Sequence, residues 1–302
     1  QAFVAGYEVG ARLGRALDLR PDVHPHGTWG VVGAAIAVAI LRSVPATDWP
    51  CIIDLAASLA TATSFDTPLL GGSIRSVWIG VSARNGLLAC DLAAAGVTAG
   101  PAAVERILGN MSATSVNTEN LKRRQGEPLL HMTNFMKLEA SCRETQSALA
   151  ALDTALADHS LLHSEIVGIE IETFHEASRL DQPNAENFTA ARFSVPCVIA
   201  GRLLQGKIRP DCFSEPLLGS EDFLRLSRLI KVKQMAIPSI ASAPNRPSRI
   251  IISLADGSHL EGMSELCPGD PSSPLDKRIL ETKFDAILGH GPQAWRHENF
   301  DR

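Results

Sequence analysis

The run Trp29 to Leu41 (WGVVGAAIAVAIL) holds thirteen consecutive apolar residues, closed by Arg42. It falls short of the ~18 or more needed to cross a bilayer, so it reads as a helix buried on every side. Small residues recur within it, among them Gly33, Ala34, Ala35, Ala37 and Ala39. Small side chains let neighbouring helices approach closely, so the surrounding segment must be a tightly packed bundle. The flanks agree with this: AFVAGYEVGARLGRAL opens the chain with helical periodicity, Pro45 stops the apolar helix, and 54–62 and 84–95 continue in an Ala/Leu-rich helical pattern. Gly100-Pro101 then marks one helix end and the start of a last helix, Ala102 to Leu108.

From Asn110 to Pro128 the chain turns polar, and after it the periodicity changes. His131 to Leu138 reads as extended, Arg143 to Ala157 as an amphipathic helix, and Ile166 to Phe174 alternates with the period of two of a half-exposed strand. Glu186 to Leu204 reads as one helix despite Pro196. Strands are expected at Leu229–Ala236 and Arg249–Leu254, the latter joined to His259–Gly262 by the Asp256-Gly257 hairpin signal, with a final helix over Leu275–Leu288. Strands and helices following a helical half argue for an α+β second domain. The fold expected is mainly α, a helical bundle plus an α+β domain, with boundaries at 1–118 and 119–270 and a C-terminal helix over 271–302 returning to the bundle.

Composition narrows the function. With 28 basic and 33 acidic residues the net charge is −5 and no basic stripe occurs, so nucleic acid is not an expected partner. Six scattered cysteines form no CxxC pair, which reads as reduced thiols of a cytoplasmic protein, a mitochondrial one being the other compartment that fits. No membrane span and no metal-ligand spacing is present.

Three constellations carry chemistry. His24-Pro25-His26-Gly27-Thr28 precedes the apolar helix, whose N-terminal N–H groups and positive dipole end suit a carboxylate; His24, His26 and Thr28 would meet it there. The alternative is Thr28 as a simple N-cap with the histidines in solvent. Gly71-Gly72-Ser73-Ile74-Arg75 pairs a turn that permits close backbone approach with an arginine able to fork a carboxylate, and Arg84 heads a helix whose dipole opposes its charge. Both arginines also fit an ordinary surface. Lys137, in an apolar run, is either an edge-strand gatekeeper or a buried group with a shifted pKa.

In order along the chain, these segments resemble the MmgE/PrpD family, which includes 2-methylcitrate dehydratases, cis-aconitate decarboxylases and iminodisuccinate epimerases. GYEVGARLGRAL with HPHGTWGVVGAAIAVA, GGSIRSVWIGVSARNGLLACDLAAAGVTAGP, MKLEASCRETQSALAAL, ARFSVPCVIAGRLLQG and SLADGSHLEGMSELCPGDPSSPLDKRILETKF are similar to successive segments of that family. The resemblance implies a homodimeric lyase or isomerase, free of metal and cofactor, that moves a proton next to a carboxylate of a small di- or tricarboxylate. It implies His24, Lys137 and Arg75 as catalytic residues, with His26, Thr28, Gly71, Gly72, Arg84 and Cys197 lining the substrate. His24 would be a base poised near neutrality. Several positions depart from the pattern: Arg75 stands for lysine, Glu139 for an aromatic, Ser141 for cysteine, Gln146 for histidine and Cys197 for tyrosine. Glu139 and Cys197 are expected to enlarge and repolarise the pocket. The comparison also reads the helical domain as lacking its opening helices, with their aspartate and histidine. A catalytically degenerate member, or an isomerase of a related acid, is the alternative function.

Overall fold

The computed structural model describes residues 1–157, 159–236 and 246–288. The chain divides into two compact units, Gln1–Asn134 and Phe135–Arg302. Residues 289–302, part of the segment expected to return to the bundle, lie outside the described residues.

In the first unit, helix α2 (Gly30–Leu41) is the axis on which α1 (Ala2–Ala16) and α5 (Trp78–Ala94) pack, with α3 (Trp49–Ser58) beside them and the short α4 (Asp66–Leu69) between. Close approach comes from interlocked small residues. A Cβ added at Gly33 would stand 2.6 Å from the carbonyl oxygen of Gly6, and one at Gly86 would stand 2.6 Å from the Ala34 side chain. Backbone thus meets backbone across both crossings. Val31, Val32, Ala35 and Ala39 are fully enclosed with Ile52, Leu55 and Leu108. Each valine so buried contributes roughly 1.5–3 kcal/mol over the exposed state.

This unit is not purely helical as expected. Leu17–Leu19 (β1) and Ala113–Val116 (β2) form an antiparallel ribbon in the register Leu17↔Val116. Three residues are too few to show a period-two pattern, and the partner strands lie almost a hundred residues apart. The helix expected at Ala102–Leu108 is instead a π-helix over Val104–Met111.

The second unit holds a four-stranded sheet in the order β4-β3-β5-β6, with β3 at Ile166–Thr173, β4 at Ile230–Gln234, β5 at Ser248–Leu254 and β6 at His259–Ser264. β3 and β4 are parallel; the other two pairings are antiparallel. The Asp256-Gly257 hairpin forms as expected, with Gly257 at φ 86° and the Ser258 N–H and hydroxyl both donating to the Asp256 carboxylate. Ile169, Ile171, Ile250 and Ile252 face the core from the sheet. Opposite them stand α6 (Gln146–Leu156), α9 (Val195–Gln205) and α11 (Glu221–Leu229), reached through the single turns α7 (His175–Ser178), α8 (Phe188–Arg192) and α10 (Glu215–Leu218). Helix α12 (Lys277–Leu288) ends the described chain.

Two expectations fail here for local reasons. The stretch 131–138 is not extended: Leu130–Thr133 is a 3-10 turn, and the irregular chain beyond it bonds to a loop, Met136 N–H donating to the Gly269 carbonyl at 2.8 Å. The helix expected over 186–204 is two, α8 and α9. Between them Ser194 takes an extended conformation and its hydroxyl accepts the Cys197 N–H at 3.0 Å, so Pro196 falls in the first turn of α9, where no N–H is needed.

Candidate functional site

The loop before α2 is built by a segment nearly forty residues away. Thr63 Oγ donates to the carbonyls of His24 (3.0 Å) and His26 (2.6 Å), while His24 N–H donates to the Thr63 carbonyl and Thr61 N–H to that of Gly27. Gly27, at φ 103°, supplies the left-handed turn this requires. The His24 imidazole is 5% exposed and packs against His26, Phe65 and Trp78, with ring centroids at 4.7, 6.0 and 5.2 Å.

One hydrogen bond fixes its chemistry. The His26 backbone N–H donates to His24 Nδ1 at 3.0 Å, so the neutral ring carries its proton on Nε2. Burial, and then the positive charge of Arg75, push its pKa down to about 4. The expectation of a base poised near neutrality is therefore corrected. His24 is a neutral imidazole at physiological pH, and its Nε2 presents an N–H.

The other residues of this unit divide. Arg75 is half-buried on the 3-10 turn Ser73–Ser76, and its charge acts on His24. Thr28 does not cap α2: Trp29 precedes the helix without a side-chain cap, and the Thr28 hydroxyl donates back to the Pro25 carbonyl. Gly71 and Gly72 close α4, Gly72 N–H donating to the Thr67 carbonyl at 2.7 Å. Arg84 does not head a helix; it lies exposed within α5, two turns after its start at Trp78.

In the second unit Lys137 Nζ donates to the Ser141 carbonyl at 3.1 Å and Lys283 Nζ donates to the Lys137 carbonyl. Cys197 is 0% exposed, its thiol directed at the carbonyls of Gln182 and Pro183, and burial pushes its pKa up. Glu139 is likewise enclosed: Arg202 donates to one carboxylate oxygen (3.0 Å) and Ile208 N–H to the other (2.6 Å). Both side chains are thus engaged with groups of the unit's interior. Sequence reasoning missed Thr63, Phe65 and Trp78 around His24, and Glu144, on which Lys137, Glu176 and Arg246 all act. No local spacing marks the His24 neighbours, Glu176 or Arg246, because each arrives from a distant segment, whereas Glu144 follows Lys137 closely in the chain. Among the described residues no group of three or more His, Cys, Asp or Glu is placed to hold a metal ion.

The MmgE/PrpD N-terminal domain model matches residues 1–121, and the MmgE/PrpD C-terminal domain model matches residues 140–300. The chain belongs to the MmgE/PrpD family. Members of the family are typically lyases or related enzymes. The two matched stretches fall in the two units of the fold, the helical unit and the α+β unit. No curated protein matches the chain. No helix among the described residues is long and apolar enough to cross a membrane.

Proposed function

We propose that this MmgE/PrpD protein is a lyase acting on a small di- or tricarboxylate, of the 2-methylcitrate dehydratase or cis-aconitate decarboxylase type, through proton transfer next to a carboxylate. The observation that supports it is His24: buried, neutral, fixed in one tautomer, and under the field of Arg75. In this reading the His26 imidazole, beside His24, takes the proton from the carbon next to a carboxylate, and negative charge builds on the carboxylate oxygens. A neutral Nε2–H held in an enclosed place stabilises that charge by hydrogen bonding and costs no reorganisation at the moment of reaction. Arg75 adds a cation that never loses its charge. His26, beside His24, and the N-terminal turn of α2 complete the contacts in the helical unit. The reading carries with it a homodimer in an intracellular compartment.

Steady-state assays with citrate, 2-methylcitrate, cis-aconitate and iminodisuccinate test it. One of these acids turns over with saturable kinetics, and His24→Ala abolishes the reaction while the melting transition stays cooperative. Absence of turnover and binding with every acid defeats the reading. The engagement of Glu139 and Cys197 with interior groups favours one alternative, a member that binds small polycarboxylates without turning them over. Saturable binding with no turnover would select it.

A further inference from the structure

Glu144 lies on the 3-10 turn Arg143–Thr145 that leads into α6, half-buried at 22% exposure. Both of its carboxylate oxygens accept from a single nitrogen of Arg246, Nη1, at 3.2 and 3.0 Å. Two more cations bear on it, Arg143 from its own turn and Lys137 from the preceding loop. The arginines are held by their faces: the Arg143 guanidinium stands 3.6 Å from the Phe135 ring centre, and that of Arg246 stands 5.9 Å from Phe174. Arg143 also approaches Asp270 (3.6 Å) and the Cys267 sulfur (3.9 Å). Both cations thus lie over aromatic rings, and Arg143 is in close contact with one.

The carboxylate in this cluster is poorly held for one with such neighbours. An arginine fork normally gives two parallel N–H bonds, whereas Glu144 shares one nitrogen. From α7, Glu176 opposes it with a like charge, and Glu176 Oε2 is enclosed with no hydrogen-bond partner. Burial outweighs the pull of Arg246 and Arg143 and raises the Glu144 pKa. Its proton is therefore cheap to take up, and the enclosed Glu176 oxygen is an acceptor that lacks a donor.

We propose that Lys137, Arg143 and Arg246 form a carboxylate-binding site, that Glu144 is its built-in occupant, and that a ligand carboxylate displaces Glu144, which leaves by taking one proton from solvent. The balance is simple. The Arg246 to Glu144 bond breaks, the ligand carboxylate takes the arginine, and Glu144 becomes a neutral acid whose O–H donates to Glu176. Charge in the site is conserved, since one carboxylate enters and one is neutralised. The proposal rests on the polycarboxylate reading and gives such a ligand a carboxylate site within the α+β unit. It also makes ligand uptake proton-coupled.

Calorimetric titration of the full chain with tricarballylate and with citrate at neutral pH, in phosphate and in Tris, measures protons taken up from the difference in buffer ionisation enthalpy. The wild type takes up about one proton per ligand; Glu144→Gln binds roughly tenfold more tightly, with no buffer dependence, because its occupant is no longer a competing anion. Arg246→Ala loses affinity and Arg246→Lys recovers part of it, with far-UV circular dichroism confirming that each variant is folded. Buffer-independent binding by the wild type, or a Glu144→Gln protein that binds no tighter, overturns the proposal. So does an Arg246→Ala protein that keeps wild-type affinity while Arg75→Ala loses it, a result that leaves the polycarboxylate reading standing. If no variant and not the wild type binds either acid, both fall.

Discussion

The His26 backbone N–H donates to His24 Nδ1 at 3.0 Å, and this bond decides which nitrogen of a buried imidazole carries the proton. Burial and Arg75 hold that ring's pKa at about 4. Nitrogen-15 NMR of the imidazoles at pH 7 therefore finds His24 with Nδ1 bare and Nε2 protonated, and with no titration between pH 6 and 7. The stability consequence has a definite sign. The folded pKa lies below the ordinary imidazole value of 6.5, so the unfolded chain binds more protons between about 4 and 6.5. Stability is full above that window, falls as the pH drops through it, and is flat below it. The upper bound for this one residue is roughly 3 kcal/mol. Urea unfolding at pH 7, 5.5 and 4.5, compared with His24→Gln, reads it; equal pH slopes in the two proteins would show that His24 is not the group.

The α1–α2 crossing depends on backbone contact rather than on side-chain fit. Gly33→Ala puts a methyl 2.6 Å from the Gly6 carbonyl oxygen, where neither atom belongs to a flexible side chain. The helices must part, and overpacking of this kind costs about 1–3 kcal/mol. Gly80→Ala is the control, because a Cβ there meets nothing within 4 Å and alanine favours a helix interior. Thermal melts of the two variants should move in opposite directions. A Gly33→Ala protein as stable as wild type would mean the crossing adjusts freely.

What the sequence carried and what it did not follow from the reach of each signal. The WGVVGAAIAVAIL run announced its own burial, IVGIEIET its pleat, and Asp256-Gly257 its turn, since each property is local to a few residues. Ser194 with Pro196 is also a local signal, a cap followed by a first-turn proline, and reading it as such would have split the helix correctly. The surroundings of His24 were illegible because Thr63 and Trp78 arrive from 39 and 54 residues along the chain, arithmetic that no periodicity encodes. Arg246 and Glu144 are 102 residues apart. The interior partners of Glu139 and Cys197 were illegible for a related reason: a residue substituted within a motif shows that its surroundings changed, not which way it faces.

Thiol chemistry separates the cysteines by environment. Cys197 is enclosed with a raised pKa, and burial pushes Cys212 up to about 11, so both stay protonated at neutral pH and are weak nucleophiles. Native labelling with a disulfide reagent at pH 7.5 leaves Cys197 unmodified on the time scale on which the half-buried Cys51 reacts; adding denaturant exposes all six. Rapid modification of native Cys197, read by peptide mass mapping, would place its thiol at an accessible surface and revive its assignment as a substrate contact.

Glu139 joins three parts of the α+β unit: its own loop, Arg202 on α9, and the Ile208 backbone beyond that helix. Removing it strands an arginine whose other partner is Asp153 and leaves the Ile208 N–H without its acceptor. Truncation of one partner in a pair this enclosed costs about 3–5 kcal/mol, most of it from the uncompensated groups left behind. Glu139→Ala should therefore unfold at markedly lower denaturant, whereas Glu139→Gln keeps an acceptor for Ile208 N–H and loses less. Chemical denaturation of both variants checks the order. A tether of this kind changes stability without changing chemistry, so the catalytic pH profile of Glu139→Gln should overlay the wild type, and a displaced profile would put the carboxylate in the reaction after all.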